Sequence, residues 1–133
     1  MDDLYQEQIL DHWRHSPHRG SLEQPEAAAE GMNPLCGDAL QITLRLRGGR
    51  VEAMKFAGQG CVISQAAASM LADLVEGRLV AEARDLDRQE LLDELGIPLS
   101  PARLKCALLS LAVLRQALGN VPGEAPGEQG GPP

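Results

Sequence analysis

Residues 39–47, ALQITLRLR, alternate between apolar and polar side chains, and this period of two is the strongest constraint on the fold. Successive side chains of a strand point to opposite faces, so the segment predicts a strand with one buried face. The glycines at 48–49 favour a tight turn into a second strand over 50–56, which the glycine-rich segment 57–60 is predicted to end. The predicted buried face of the first strand carries Leu40, Ile42, Leu44 and Leu46.

Helical spacing of apolar residues appears on both sides of this hairpin. A first helix is predicted to end near His15, with residues 17–35 as loop. After the hairpin we predict an amphipathic helix over 64–76, a short helix over 88–95 and a last helix over 101–118. The predicted buried stripe of the first helix is Tyr5, Ile9 and Trp13.

The order of these elements indicates an α+β fold. Residues 1–118 are predicted to form one domain in which helices cover one face of a small antiparallel sheet. Residues 119–133 are rich in glycine and proline, and we predict a disordered tail there.

The three cysteines, at 36, 61 and 106, are an odd number that does not fit a disulfide framework. Residues equidistant from a hairpin turn lie opposite one another, so the hairpin places Cys36, Asp38 and Cys61 at one end of the sheet. Nothing in the spacing brings Cys106 there. On a leucine-rich helix, that cysteine is more readily a packed core residue than part of a site.

The neighbours of the cysteines favour chemistry over simple packing. Gly37 and Gly60 leave bare backbone beside two of the sulfurs, where an ion has room. Arg103 lies one helical turn before Cys106 and Lys105 adjoins it, and nearby cations raise the thiolate fraction of a cysteine. Two solvated surface cations would give the same pattern.

Three thiolates and one carboxylate make four ligands, the number that tetrahedral zinc prefers. The same set could hold iron in a sulfide cluster, although such clusters normally use four thiolates. A carboxylate is a harder donor than sulfur and holds a thiolate-loving centre less firmly, which suits a cluster that must leave. His12 and His15 share a helix face, but such a pair is more often surface than metal site.

Charge and hydropathy exclude other functions. The net charge of −7 disfavours nucleic-acid binding, because a phosphate backbone needs a basic face. No apolar run fits a signal peptide, and nowhere do about 18 apolar residues run together. We therefore expect a cytoplasmic protein that binds neither nucleic acid nor membrane.

Three motifs, NPLCGD at 33–38, GQGCVIS at 58–64 and RLKC at 103–106, resemble those of the iron–sulfur cluster scaffold family. This is the IscU and NifU N-terminal type, with its SufU branch. The segment at 5–22, YQEQILDHWRHSPHRGSL, resembles that family's first helix and following loop. The resemblance implies an α+β sandwich with a three-stranded antiparallel sheet.

The resemblance also implies a site and a role. Cys36, Cys61 and Cys106 would be the thiolate ligands, and Asp38 the carboxylate that keeps the cluster labile. Such proteins accept persulfide sulfur from a cysteine desulfurase, combine it with iron into a transient [2Fe–2S] cluster, and pass the cluster to apo-proteins. Zinc occupies the site in the cluster-free form. Such a protein is a carrier and not an enzyme in the strict sense.

Departures from the family pattern leave alternatives open. Lys105 stands where IscU-type scaffolds carry histidine, and PLSPAR at 98–103 only loosely resembles the segment read by an Hsp70-type chaperone, which leaves that partner open. RLKC instead resembles the SufU branch, a zinc-dependent sulfurtransferase partner of the desulfurase, yet the chain has no room for that branch's insertion. The persulfide acceptor is Cys106 in the scaffold interpretation and Cys36 in the SufU interpretation. A structural-zinc interaction module is a third alternative, which the expected exposure of the ligands disfavours.

Overall fold

A computed structural model describes residues 3–34 and 37–119, with side chains from residue 6 onward. The three strands form one antiparallel sheet in the order β1-β2-β3. Of the predicted tail, only Gly119 lies within the described residues, as the last residue of a helix. The elements in chain order are α1 (Asp3–His15), β1 (Ala27–Asn33), β2 (Asp38–Arg47), β3 (Arg50–Gln59), α2 (Val62–Val75), α3 (Val80–Arg84), α4 (Arg88–Leu95) and α5 (Pro101–Gly119).

The β2–β3 hairpin predicted from the alternating segment is confirmed. Its strands pair across the turn at 48–49, where both glycines have positive φ, 62° and 76°. A bulge between Arg45 and Leu46 shifts the register by one residue, so that Ala39 lies opposite Gln59. The start of β2 and the end of β3 therefore meet at one end of the sheet.

Two strand predictions were wrong in extent. β1 occupies residues predicted as loop, because its pairing with β2 makes the weakly apolar segment AAAEGMN a strand. β3 continues beyond Phe56 to Gln59, through the glycines expected to end it. Gly58 allows this continuation: its φ is 138°, and a Cβ there would lie 2.1 Å from the carbonyl oxygen of Ala39.

The helices pack on one face of the sheet. α5 contacts β1 and β2, while α2 contacts β3, α5 and α1. α2 begins at Val62, slightly before its predicted start, and it is not amphipathic as predicted, because every residue from 63 to 72 is buried. It is the central helix of the domain. None of the helices in the described ranges is long and apolar enough to cross a bilayer.

α1 is attached differently from the prediction. Ile9 is buried, but Trp13 is 36% exposed, so the expected apolar stripe is wrong at Trp13, and the side chain of Tyr5 lies outside the described residues. Polar contacts hold the end of this helix instead. His12 Nδ1 lies 2.8 Å from Ser69 Oγ on α2.

The ends of the later helices follow the sequence prediction. Asp87 caps α4 by accepting a hydrogen bond from the N–H of Gln89, and Gly96 ends that helix with φ of 68°. Ser100 Oγ accepts from the N–H of Arg103 at the start of α5. α3 was not predicted. One apolar stripe of α5 is buried and consists of Ala107, Leu111, Leu114 and Leu118.

Candidate metal centre

Three of the four predicted ligands come together at the end of the sheet. Asp38 is the first residue of β2, Cys61 is the N-cap of α2, and Cys106 lies in the second turn of α5. One ligand atom from each lies within 4.8 Å of the other two. The fold thus gathers a carboxylate and two thiols from three distant parts of the chain.

Asp38 joins the sheet to the central helix. Its Oδ1 accepts a hydrogen bond from the backbone N–H of Cys61 at 3.0 Å, and its Oδ2 faces the Cys61 sulfur across 3.9 Å. The amino end of a helix carries partial positive charge, so a carboxylate is stabilised there. The hairpin register supplies this geometry, because it brings the start of β2 against the end of β3 just before α2 begins.

The site is more buried than the sequence predicted. Asp38 is 1% exposed and Cys106 is 4% exposed, while Cys61 is half-buried. The expectation that the ligands lie exposed is therefore wrong for Asp38 and Cys106. The physical reason is that α2 and α5 close over the end of the sheet, which a hairpin argument alone does not reveal. Exposure of the ligands consequently no longer counts against a structural-zinc role.

Position 60 requires a glycine because the Asp38 carboxylate lies too close for a side chain there. A Cβ at this position would lie 2.7 Å from Asp38 Oδ1 and 2.4 Å from Ser64 Oγ. Sequence reasoning assigned this glycine to leaving room for an ion. In the structure, the room it leaves is occupied by the Asp38 carboxylate itself, next to the Ser64 hydroxyl.

Gly37 closes the turn that leads into β2. Its φ is 76°, and its N–H donates to the carbonyl oxygen of Asn33 at 2.8 Å, where Asn33 and Asp38 pair across the two strands. Cys36 itself lies outside the described residues. In the sequence it precedes Asp38 by two residues.

The two cations near Cys106 are on the surface. Arg103 and Lys105 are both exposed at the start of α5. Their predicted role in favouring the Cys106 thiolate stays a prediction.

A histidine–carboxylate cluster that sequence reasoning missed lies at the other end of α2. His18 is buried, its Nε2 lies 2.7 Å from Asp73 Oδ1, and its Nδ1 lies 3.4 Å from Glu76 Oε2. No sequence spacing links Asp73 and Glu76 to His18. His12 also faces Asp73, whereas His15 is exposed. Among the described residues, only Asp38, Cys61 and Cys106 form a group close enough to hold a metal ion.

The donor set fits a thiophilic metal. Ligand atoms about 2.0 to 2.3 Å from a tetrahedral zinc lie roughly 3.5 to 3.8 Å apart, so atoms within 4.8 Å of one another need only a small closure. Two sulfurs and one oxygen leave a fourth position, for which the sequence offers Cys36, two residues before Asp38. The same donors suit iron in a sulfide cluster.

Comparison with known proteins gives the family. The NifU-like N terminal domain family matches residues 4–125. The chain belongs to this family. This confirms the resemblance seen in the sequence motifs, and the α+β fold with a three-stranded antiparallel sheet that it implied.

Relatives of this NifU-like chain include members of both branches. It is 35% identical over 134 residues to the iron-sulfur cluster assembly scaffold protein IscU of Thermotoga maritima, covering 89% of this chain and 94% of the relative. It is 32% identical over 142 residues to the zinc-dependent sulfurtransferase SufU of Bacillus subtilis, covering 92% and 95%. The near-equal similarity agrees with the mixture of branch features in the sequence.

Two solved structures of related proteins have the same fold as this NifU-like chain. FiSufU of Fervidobacterium islandicum superimposes with a TM-score of 0.74 at 26% identity, covering 84% of this chain and 94% of that one. The N-terminal part of a nitrogen-fixing NifU-like protein from Brucella abortus superimposes with a TM-score of 0.72 at 25% identity, covering 93% of this chain and 98% of that one.

Proposed function

We propose that this protein is a scaffold on which an iron–sulfur cluster is assembled from persulfide sulfur and ferrous iron and then passed to apo-proteins. The sulfur donor is a cysteine desulfurase. The cluster is cargo, held by Asp38, Cys61 and Cys106 together with Cys36.

The observation that supports this proposal most strongly is the convergence of Asp38, Cys61 and Cys106 within 4.8 Å. Two thiols alone would suit a redox pair, and a carboxylate alone would suit a hard cation. Their combination gives a site that binds a thiophilic centre through sulfur and holds it less firmly through oxygen. A scaffold needs such a site because it must both retain and release its cargo.

The chemistry that the residues perform is sulfur acceptance and ligation. In the transfer step an acceptor thiolate attacks the outer sulfur of the desulfurase persulfide, the donor S–S bond breaks, and the donor cysteine leaves as a thiolate. Persulfide sulfur must still gain two electrons to become sulfide. Ferrous iron supplies part of these electrons, and a thiol or one-electron carrier outside this chain supplies the rest.

The second candidate is a zinc-dependent sulfur relay. The 32% identity to the Bacillus subtilis sulfurtransferase and a donor set of thiols and a carboxylate favour it. In this role Asp38 and the three cysteines would hold zinc, which would order the site, and one of the cysteine thiolates would accept the sulfur. The burial of Asp38 and Cys106 also keeps structural zinc as a third candidate.

Analysis of freshly purified protein for zinc, iron and acid-labile sulfide, followed by anaerobic reconstitution with desulfurase, cysteine and ferrous iron, distinguishes the three. A scaffold gains stoichiometric iron and sulfide with visible absorbance. A relay keeps zinc and raises desulfurase turnover. A structural-zinc protein does neither, and that result would refute the proposal.

Mapping the added sulfur by mass spectrometry identifies the acceptor. The scaffold role predicts persulfide on Cys106, and the relay role predicts persulfide on Cys36. Cys61→Ser is the matched control, because it removes a ligand without removing either acceptor. Persulfide on Cys61 alone would contradict both roles.

A further inference from the structure

A basic surface lies at the end of α1, and we define it as the basic patch of Arg14, Arg19 and Lys55 around Trp13. The Arg14 guanidinium lies 5.8 Å from the centre of the Trp13 ring. Arg19 donates a hydrogen bond to the carbonyl oxygen of Trp13, and Lys55 Nζ donates to that of Pro17 at 3.1 Å. Arg14 and Arg19 thus contact Trp13, and Lys55 contacts the segment between Trp13 and Arg19.

The charge of this patch is not neutralised by the protein itself. In the part of the chain that the structure describes, none of its three cations is ion-paired with a carboxylate. Of the nine other lysines and arginines, three are ion-paired with glutamates: Arg45, Arg47 and Arg78. On a chain with a net charge of −7, three cations without carboxylate partners near one tryptophan create a local positive potential.

The patch also has the composition of an interface. Tryptophan and arginine are the residues most enriched among those that carry binding energy in protein–protein contacts. Trp13 is 36% exposed, and it is the single tryptophan of the chain. Arg19 is held in place by its contact with Gln65 and by stacking over the Phe56 ring at 5.1 Å, so its guanidinium needs little ordering on binding.

The patch lies beside the candidate metal centre. The side chain of Gln65, which receives the Arg19 hydrogen bond, belongs to the first turns of α2. The backbone N–H of Gln65 in turn donates to the carbonyl oxygen of Cys61 at 3.2 Å. Arg19, one member of the patch, therefore contacts a residue of α2 that lies about one helical turn after Cys61.

We propose that the basic patch is a docking surface for a partner protein that presents an acidic surface with an apolar side chain to pack on Trp13. Charge complementarity selects this partner: the unpaired cations attract carboxylates, and Trp13 supplies the apolar contact. A nucleic acid is disfavoured by the acidic remainder of the molecule. The proposal does not depend on which metal or cluster the centre holds.

The single tryptophan makes the test direct. The full-length protein is titrated with a short peptide of glutamates around a central leucine, while Trp13 fluorescence and its indole NMR signal are followed. We expect saturable changes at low salt, and a several-fold weaker affinity when the salt is raised to about 0.2 M. Peptides with lysine or glutamine in place of glutamate should give no change.

Matched charge variants separate the patch from the overall charge. The double variant Arg14→Gln, Lys55→Gln should weaken peptide binding by about tenfold, equivalent to the loss of roughly 1.4 kcal/mol. The double variant Arg84→Gln, Arg88→Gln removes the same charge from α3 and α4 and should leave binding unchanged. Melting temperatures of both variants check that the fold is intact.

Three outcomes would overturn the proposal. One is the absence of saturable Trp13 changes at low salt with millimolar peptide. Another is an equal loss of binding in the two double variants, which would mean that only net charge matters. The third is a Trp13 change that depends on protein concentration without peptide, accompanied by dimers in sedimentation, because the patch would then be a contact between copies of this chain.

Discussion

Gly60→Ala tests whether the carboxylate of Asp38 is held in place by the absence of a side chain opposite it. The new Cβ would lie 2.7 Å from Asp38 Oδ1, where ordinary contact begins at 3.4 Å, so the carboxylate must move by about 0.7 Å. A shift of that size away from α2 lengthens its 3.0 Å hydrogen bond to the N–H of Cys61 beyond the usual limit. Ser64 Oγ must also move, but a hydroxyl can rotate.

The expected cost is large for a single methyl group. Overpacking costs about 1 to 3 kcal/mol, and weakening a hydrogen bond to a charged group adds about 1 to 2 kcal/mol. The lower entropy of the unfolded alanine chain returns up to about 1 kcal/mol. We expect a net loss of roughly 2 to 3 kcal/mol in the free energy of unfolding, together with weaker metal binding.

Denaturant unfolding and zinc competition against a chelator measure the two effects. Gly119→Ala is the matched control, because a Cβ there meets nothing within 4 Å. Adding Ser64→Ala to Gly60→Ala relieves only the hydroxyl contact and should restore little. If Gly60→Ala keeps both the stability and the zinc affinity of the parent, the close approach to Asp38 does not matter and the reasoning fails.

Three further predictions concern single buried or paired groups. Asp38→Ala should slow loss of a reconstituted cluster, followed by its absorbance, because the hard oxygen donor is removed; unchanged or faster loss would contradict its role in release. Ser110→Ala should raise the unfolding free energy by about 1 kcal/mol, since the buried hydroxyl has no hydrogen-bond partner among the described residues; a loss would reveal a partner. The N–H of Leu46 holds the pKa of Glu26 below its ordinary 4.5. The ionised Glu26 carboxylate therefore stabilises the fold slightly above pH 4.5, and this stabilisation is lost as the pH falls through the lowered pKa. Glu26→Gln should flatten the dependence of the unfolding free energy on pH in that range.

The hairpin and the helix caps could be predicted because local chemistry determines them. Strict alternation over 39–47 leaves one way to bury the apolar side chains, and the glycines at 48–49 specify the turn. Asp87 and Ser100 satisfy helix N–H groups wherever the helix packs.

The predictions that were wrong concern elements whose structure depends on contacts with distant parts of the chain. β1 has no alternating pattern and is a strand only because β2 offers it a partner. Trp13 has the right helical spacing to be buried, yet α1 packs on α2 through Ile9 and His12 and leaves the ring partly exposed. α2 is surrounded by other elements, which a count of its apolar residues does not reveal.

Only part of the candidate centre could be predicted, because one of its ligands is positioned by long-range packing. Hairpin symmetry brings Asp38 and Cys61 together, but the arrival of Cys106 is a property of how α5 packs, and only the family resemblance pointed to it. The burial of Asp38 also depends on the covering helices. No local signal in the sequence reports it.

The bulge near the turn has a consequence at the far end of the hairpin. Glu52 is the bulged residue: it has no pairing partner in β2, whereas its neighbours Val51 and Ala53 both pair. Were Glu52 aligned instead, the later part of β3 would slide by one, carrying Phe56 to the open side of the sheet and bringing a glutamine, not a glycine, against Asp38. Burial of Phe56 in the core thus fixes the register of β3. This register in turn positions the carboxylate and sulfurs of the candidate centre, about 20 Å from the bulge.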